Sequence, residues 1–210
     1  TRVKSLSERG AREMGKPVGT DLTMEAPGMA VPDEDYHREI SEALAGCLKE
    51  LTGENRDRSV LVAGLGNRDV TPDALGPKTV SNLMITRHLF REYGKETMGM
   101  EQSSAVSGIA PGVMAQTGME TSEILQGIID QTSPDILLVI DALAARSTRR
   151  LGRTIQLTDT GIQPGSGVGN HRGSLTKESL GIPVIAIGVP TVVEAAAIIY
   201  DAQGSCERMP

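Results

Sequence analysis

With 210 residues, the chain has room for one domain or two small ones, and for a sizeable core without covalent staples. Its two cysteines, Cys47 and Cys206, fit neither a zinc nor a thioredoxin spacing, which argues against a disulfide scaffold and for a reducing cytoplasm. A net charge of −6 with three tyrosines, one phenylalanine and no tryptophan argues against a direct nucleic-acid surface, and neither a membrane span nor a signal peptide is read.

Residues 1–33 mix glycine, proline, methionine and charge without a period. They are expected to form an N-terminal arm with a short strand near Leu22–Met24, ahead of a single domain over residues 34–210. From Asp33 the pattern is helical, with Ile40, Leu44, Cys47, Leu48 and Leu51 on one face and Gly53 as the stop. Ser59–Ala63 reads as a buried strand, followed by a loop to Gly76 and a helix opened by Pro77 that carries Val80, Leu83, Met84 and Phe90. Ser103–Ser107 is a weaker strand and Thr121–Gln131 a helix. Asp135–Ile140 is the clearest strand in the chain. Thr154–Leu157 and Pro183–Gly188 are further strands, and Thr191–Tyr200 is a closing helix. Continuous apolar strands alternating with helices predict an α/β fold: a central, mainly parallel sheet covered on both faces, hence a three-layer sandwich.

Open parallel sheets bind ligands beyond the carboxyl ends of their strands. Three segments are therefore expected at one rim: Gly64–Pro77, Asp141–Arg146, and Thr158 through Gly161 to His171. The 24 glycines gather in such loops, between the apolar runs. Asp141 directly follows five apolar residues, and Asp73 is its natural partner; each also reads as a helix cap or a turn residue. Two carboxyl groups in one site can share a proton, one activating water and the other protonating a leaving amine.

Other chemistries have weaker support. Gly64-Leu65-Gly66-Asn67 starts like a dinucleotide fingerprint, but Asp69 stands where the third glycine belongs. Asp159-Thr160-Gly161 matches the short motif of all-β aspartic proteases, and a turn after a strand explains it equally well. No Gly-x-Ser-x-Gly elbow occurs, and neither cysteine neighbours a histidine. Two carboxylates with His171 form the one metal-binding alternative, using Asp73, Asp141 and His171; no cofactor is otherwise expected.

Several ordered segments carry a family resemblance: Gly64–Asn67 with Val70–Pro77, Thr86–Phe90, Ala110–Met114, Ile140–Arg146, Ser166–Asn170 and Gly181–Val193. Over about residues 20–200 the chain closely resembles the germination proteases of spore-forming bacteria, atypical aspartic endopeptidases similar in fold to the hydrogenase maturation proteases. The resemblance implies catalytic aspartates at Asp73 and Asp141. It implies small acid-soluble spore proteins as substrate, cleaved during germination, and a zymogen that assembles as a homotetramer in the cytoplasm of the spore core. Gly64, Gly66, Asn67, Gly167, Gly169 and Asn170 are candidates to present backbone N–H groups to substrate or oxyanion. The rival expectations are a metal-binding maturation-type peptidase and a non-catalytic binding or assembly module. Against the family pattern, the chain is expected to be a short variant or a fragment: it begins inside the usual N-terminus and ends soon after Tyr200.

Overall fold

A computed structural model describes residues 2–5, 18–55, 57–165 and 173–206. The strands are β1 (Arg2–Ser5), β2 (Thr20–Glu25), β3 (Ser59–Gly64), β4 (Ala105–Ile109), β5 (Ile136–Ala145), β6 (Thr154–Thr158) and β7 (Val184–Val193). The helices are α1 (Glu34–Thr52), α2 (Leu75–Ser81), α3 (Arg87–Tyr93), α4 (Met114–Thr117), α5 (Thr121–Thr132), α6 (Lys177–Leu180) and α7 (Ala195–Cys206), with short 3-10 turns at Thr71–Asp73 and Thr148–Arg150. The strands form one seven-stranded sheet in the order β1-β2-β6-β7-β5-β3-β4.

The expected parallel centre is present: β4, β3, β5 and β7 are parallel neighbours. The other half of the sheet is antiparallel, because β6 runs against β7, β2 against β6 and β1 against β2. The segment expected as an arm therefore contributes a strand to the sheet interior. Within β2, Leu22 and Met24 are buried, and the strand is paired on both sides.

Side-chain alternation splits each apolar run between two cores. Leu61 and Ala63 of β3 and Leu137 and Val139 of β5 pack with Leu125 and Ile129 of α5 and Leu180 of α6. Val62 of β3 and Leu138 and Ile140 of β5 face the other way, toward Ile40, Leu44, Cys47, Leu48 and Leu51 of α1 and Val80 of α2. Two cores on opposite faces of one sheet make the three-layer sandwich. Burying each large aliphatic side chain contributes about 1.5–3 kcal/mol. Helix α1 starts where expected: Asp33 caps it by accepting from the Tyr36 N–H at 3.0 Å, and Gly53 ends it at φ 75°.

The helix expected from Pro77 through Phe90 is two helices, α2 and α3. Between them, Thr86 behaves like a strand residue: its N–H donates to the Val106 carbonyl at 3.0 Å, and its hydroxyl oxygen accepts from the Val106 N–H at 2.9 Å. Strand β7 runs to Val193, so the closing helix starts at Ala195 rather than Thr191.

Helix α2 lies on the sheet at glycine distance. A Cβ on Gly64 would stand 2.2 Å from the Gly76 carbonyl oxygen, and one on Gly76 would stand 2.3 Å from that of Leu65 and 2.5 Å from that of Ile140. By contrast, Gly127 on α5 is exposed, and an added Cβ there meets nothing within 4 Å. Gly76→Ala is therefore expected to destabilise by about 1–3 kcal/mol through overpacking against backbone. Gly127→Ala should stabilise by about 0.5–1 kcal/mol through helix propensity. Urea unfolding followed by circular dichroism at neutral pH measures both, and a neutral Gly76→Ala would contradict the packing.

Helix α7 is tied by a carboxylate to the 3-10 turn that follows β5. The hydroxyl and the N–H of Thr148, each at 2.7 Å, and the Ser147 hydroxyl at 3.0 Å donate to Asp201 and hold its carboxyl below the ordinary carboxylate range. The folded state thus releases this proton more readily than the unfolded chain. The stabilisation is present above the ordinary aspartate value of about 3.9 and is lost as pH falls through the lowered folded value. Protection of the α7 amides, measured as the exchange rate relative to the intrinsic rate at each pH, should fall on acidification below about pH 4. Asp201→Asn should already exchange faster at neutral pH and lose that acid step.

Candidate active site

The carboxyl ends of β3 and β5 do not stop at the same level. Gly64, the last residue of β3, pairs with Ile140, whereas β5 continues beside β7 to Ala145. Asp141 therefore lies inside β5 rather than beyond its end, one residue past the level where β3 gives out. It pairs with Gly188 of β7. Asp141 is only 7% exposed, and one of its carboxylate oxygens accepts from the Ala142 N–H at 2.9 Å.

Past β3 the chain first stays on the sheet, with the Leu65 N–H donating to the Ile140 carbonyl at 2.8 Å. It then turns at Gly66, whose φ of 108° is a glycine conformation. The turn delivers the Asn67 N–H to the Asp73 carboxylate at 2.7 Å. The Asn67 side-chain oxygen accepts from the Asp69 N–H at 3.0 Å, which closes the local turn, and from Gln116 Nε2 at 3.2 Å. Asp73 itself ends the 3-10 turn that Thr71 begins, and its own N–H donates to the Val70 carbonyl at 2.8 Å.

Asp73 and Asp141 line a single cleft of about 680 Å³. Its walls include Leu65, Gly66, Gly112, Val113, Arg146 and Thr191. A second cavity of about 750 Å³ adjoins it and shares Leu143, Gln156 and Ile162; Arg149, Arg150 and Arg153 are among its other lining residues.

The glycine and asparagine candidates take different places. Gly66 lines the cleft. Gly64 lies beneath α2, where its missing side chain makes room for Gly76. The Asn67 N–H is engaged by Asp73, so it is not presented to a ligand in this arrangement. Gly167, Gly169, Asn170 and His171 lie outside the described residues, so of the metal-binding set only Asp73 and Asp141 are placed.

Of the three segments expected at one rim, residues of Gly64–Pro77 and Asp141–Arg146 line the cleft, and the third reaches it only from Ile162 onward. Because β6 is antiparallel, its carboxyl end points to the opposite edge of the sheet. There Asp159 accepts from the Thr20 N–H at 2.7 Å and lines a different cavity with Asp57 and Asp135. The chain returns after Gly161, and Gln163, Pro164 and Gly165 reach the cleft. Sequence reasoning did not single out Gln116, Arg146 or Thr191. Arg146 carried a legible signal, the first cation after Asp141.

These features define an α/β domain with an acidic cleft at the carboxyl end of its parallel strands, the usual ligand position in such sheets. The chain belongs to the germination protease family, peptidase family A25, whose model matches residues 1–204. It is 55% identical over 201 residues to the germination protease of Caldanaerobacter subterraneus subsp. tengcongensis, which covers 96% of this chain and 61% of that protein. It is 49% identical over 205 residues to the germination protease of Clostridium perfringens, covering 96% and 62%. To that of Halalkalibacterium halodurans it is 52% identical over 196 residues, covering 92% and 52%. The chain thus spans between about half and three-fifths of the length of these relatives. Among the described residues, no helix is long and apolar enough to cross a membrane.

Gly66 permits a test of the loop geometry. A Cβ there would stand 2.1 Å from the Asp73 carbonyl oxygen, on a backbone already at positive φ. Gly66→Ala is expected to destabilise by about 1–3 kcal/mol or more. Gly118→Ala, at φ 71° but with nothing within 4 Å, should cost about 1–2 kcal/mol from conformation alone. Thermal unfolding of the two variants measures the difference.

Proposed function

We propose that this chain is the peptidase domain of an endopeptidase that degrades small acid-soluble spore proteins during germination, with Asp73 and Asp141 as its acid–base pair. The observation that carries this reading is that the two aspartates, brought from separate loop and strand segments, line one cleft. Membership of the germination protease family and relatives bearing that name supply the biological setting.

Peptide hydrolysis by such a pair requires one carboxylate to take a proton from water as it attacks the scissile carbonyl. The other, protonated carboxyl group gives its proton to the departing amine nitrogen. No covalent intermediate with the protein is needed. The Asn67 N–H fixes the direction of the Asp73 carboxylate, and strand β5 fixes that of Asp141. The amide of Gly66 is the candidate donor to the developing oxyanion, and Gly167, Gly169 and Asn170 are further candidates. The adjoining cavity gives an extended polypeptide room on one side of the scissile bond, which suits an endopeptidase. Assembly as a homotetramer and action within the spore core complete the family reading.

The test is cleavage of a purified small acid-soluble spore protein by wild type, Asp73→Asn and Asp141→Asn, each confirmed folded, with and without a chelator. Cleavage by wild type alone, indifferent to chelator and reduced at least about a hundredfold in either variant, is expected. Loss of cleavage with chelator would favour the Asp73, Asp141 and His171 metal site. Undiminished cleavage by both variants would overturn the assignment of the pair.

A further inference from the structure

We infer that Thr191 is a positioning residue for Asp73, acting through the peptide bond between Pro72 and Asp73; this rests on the acid–base reading of the aspartates above. Strands β5 and β7 pair in step from Leu137 with Val184 to Leu143 with Pro190, and the register then shifts so that Ala144 pairs with Val192. Thr191 is the extra residue. A bulge of this kind re-aims a side chain and recurs beside active sites. Here the side chain goes to the loop that carries Asp73: the Thr191 hydroxyl donates to the Pro72 carbonyl oxygen at 2.6 Å.

That carbonyl belongs to the same peptide unit as the Asp73 N–H, which donates to the Val70 carbonyl at 2.8 Å. Both polar ends of the unit are therefore held, and its plane is fixed. The Asn67 N–H holds the carboxylate itself. Of these three contacts, those from Val70 and Asn67 come from within the loop. The Thr191 contact alone comes from the sheet, and it comes from β7, the strand that pairs Gly188 with Asp141. Thr191 thus refers the position of Asp73 to the strand beside Asp141, so it sets the spacing of the pair rather than the shape of the loop alone. Its half-buried place on the cleft wall also admits direct contact with substrate, which the test separates.

The experiment measures kcat and KM for cleavage of a purified small acid-soluble spore protein by Thr191→Val, Thr191→Ser and Thr191→Ala. Wild type, Asp73→Asn and Asp141→Asn run beside them, and circular dichroism confirms folding. Val keeps the shape and removes the hydroxyl; Ser keeps the hydroxyl. A fall in kcat of roughly ten- to a hundredfold in the Val and Ala variants, with KM within about twofold and kcat restored by Ser, is the expected result. A rise in KM with kcat unchanged would assign Thr191 to substrate contact and overturn the proposal. Wild-type kcat in Thr191→Val, while the aspartate variants are inactive, would overturn it and leave the acid–base reading standing. Active aspartate variants would overturn both. If the Val and Ala variants fail to fold while Ser folds, the hydroxyl serves stability and the proposal fails.

Discussion

The contact on which the site depends is the approach of two backbones at Gly64 and Gly76. Helix α2 rests on the end of β3 and the middle of β5 with the two glycines face to face, its first turn against the carbonyls of Leu65 and Ile140. Any side chain at either position would lift the helix, and with it the 3-10 turn that ends in Asp73. Asp141 is carried by β5, beside the same Ile140 carbonyl that the Leu65 N–H occupies. This close contact between sheet and helix sets how deeply the loop that carries Asp73 can sit, and the hydrogen bond from Thr191 then refers Asp73 to β7 beside Asp141.

Around this point the loop leaves little to chance. Asn67 spends its N–H on Asp73 and its side-chain oxygen on Asp69 and Gln116, so one residue links the aspartate to its own turn and to α4. Asp141 needs less support because a central strand already holds its backbone. One carboxylate is placed by a rigid element and the other by a braced loop.

Much of this was legible in the sequence because the signals are local. The runs SVLVAG and ILLVI are continuous and apolar, as strands buried on both faces must be, and Ile40, Leu44, Cys47, Leu48 and Leu51 repeat at helical spacing. Asp73 and Asp141 could be chosen because each comes after such an apolar run. What was not legible depends on partners distant in sequence. The direction of β6 is not written in its own residues, so Asp159 was expected at the wrong edge. The break at Thr86 exists because β4 satisfies its backbone, and the bulge at Thr191 exists only in the pairing of β5 with β7. The packing role of Gly64 needed Gly76, and a glycine-rich loop signals close approach without saying what approaches.

The central claim is that Asp73 and Asp141 act as one unit in one cleft, and a double-mutant cycle on kcat/KM tests it most directly. If they share the proton and the water, Asp73→Asn, Asp141→Asn and the double variant should lose similar amounts of activity, because removing one member already disables the pair. Losses that multiply, with the double variant falling by the product of the two single effects, would show two independent groups and contradict the account.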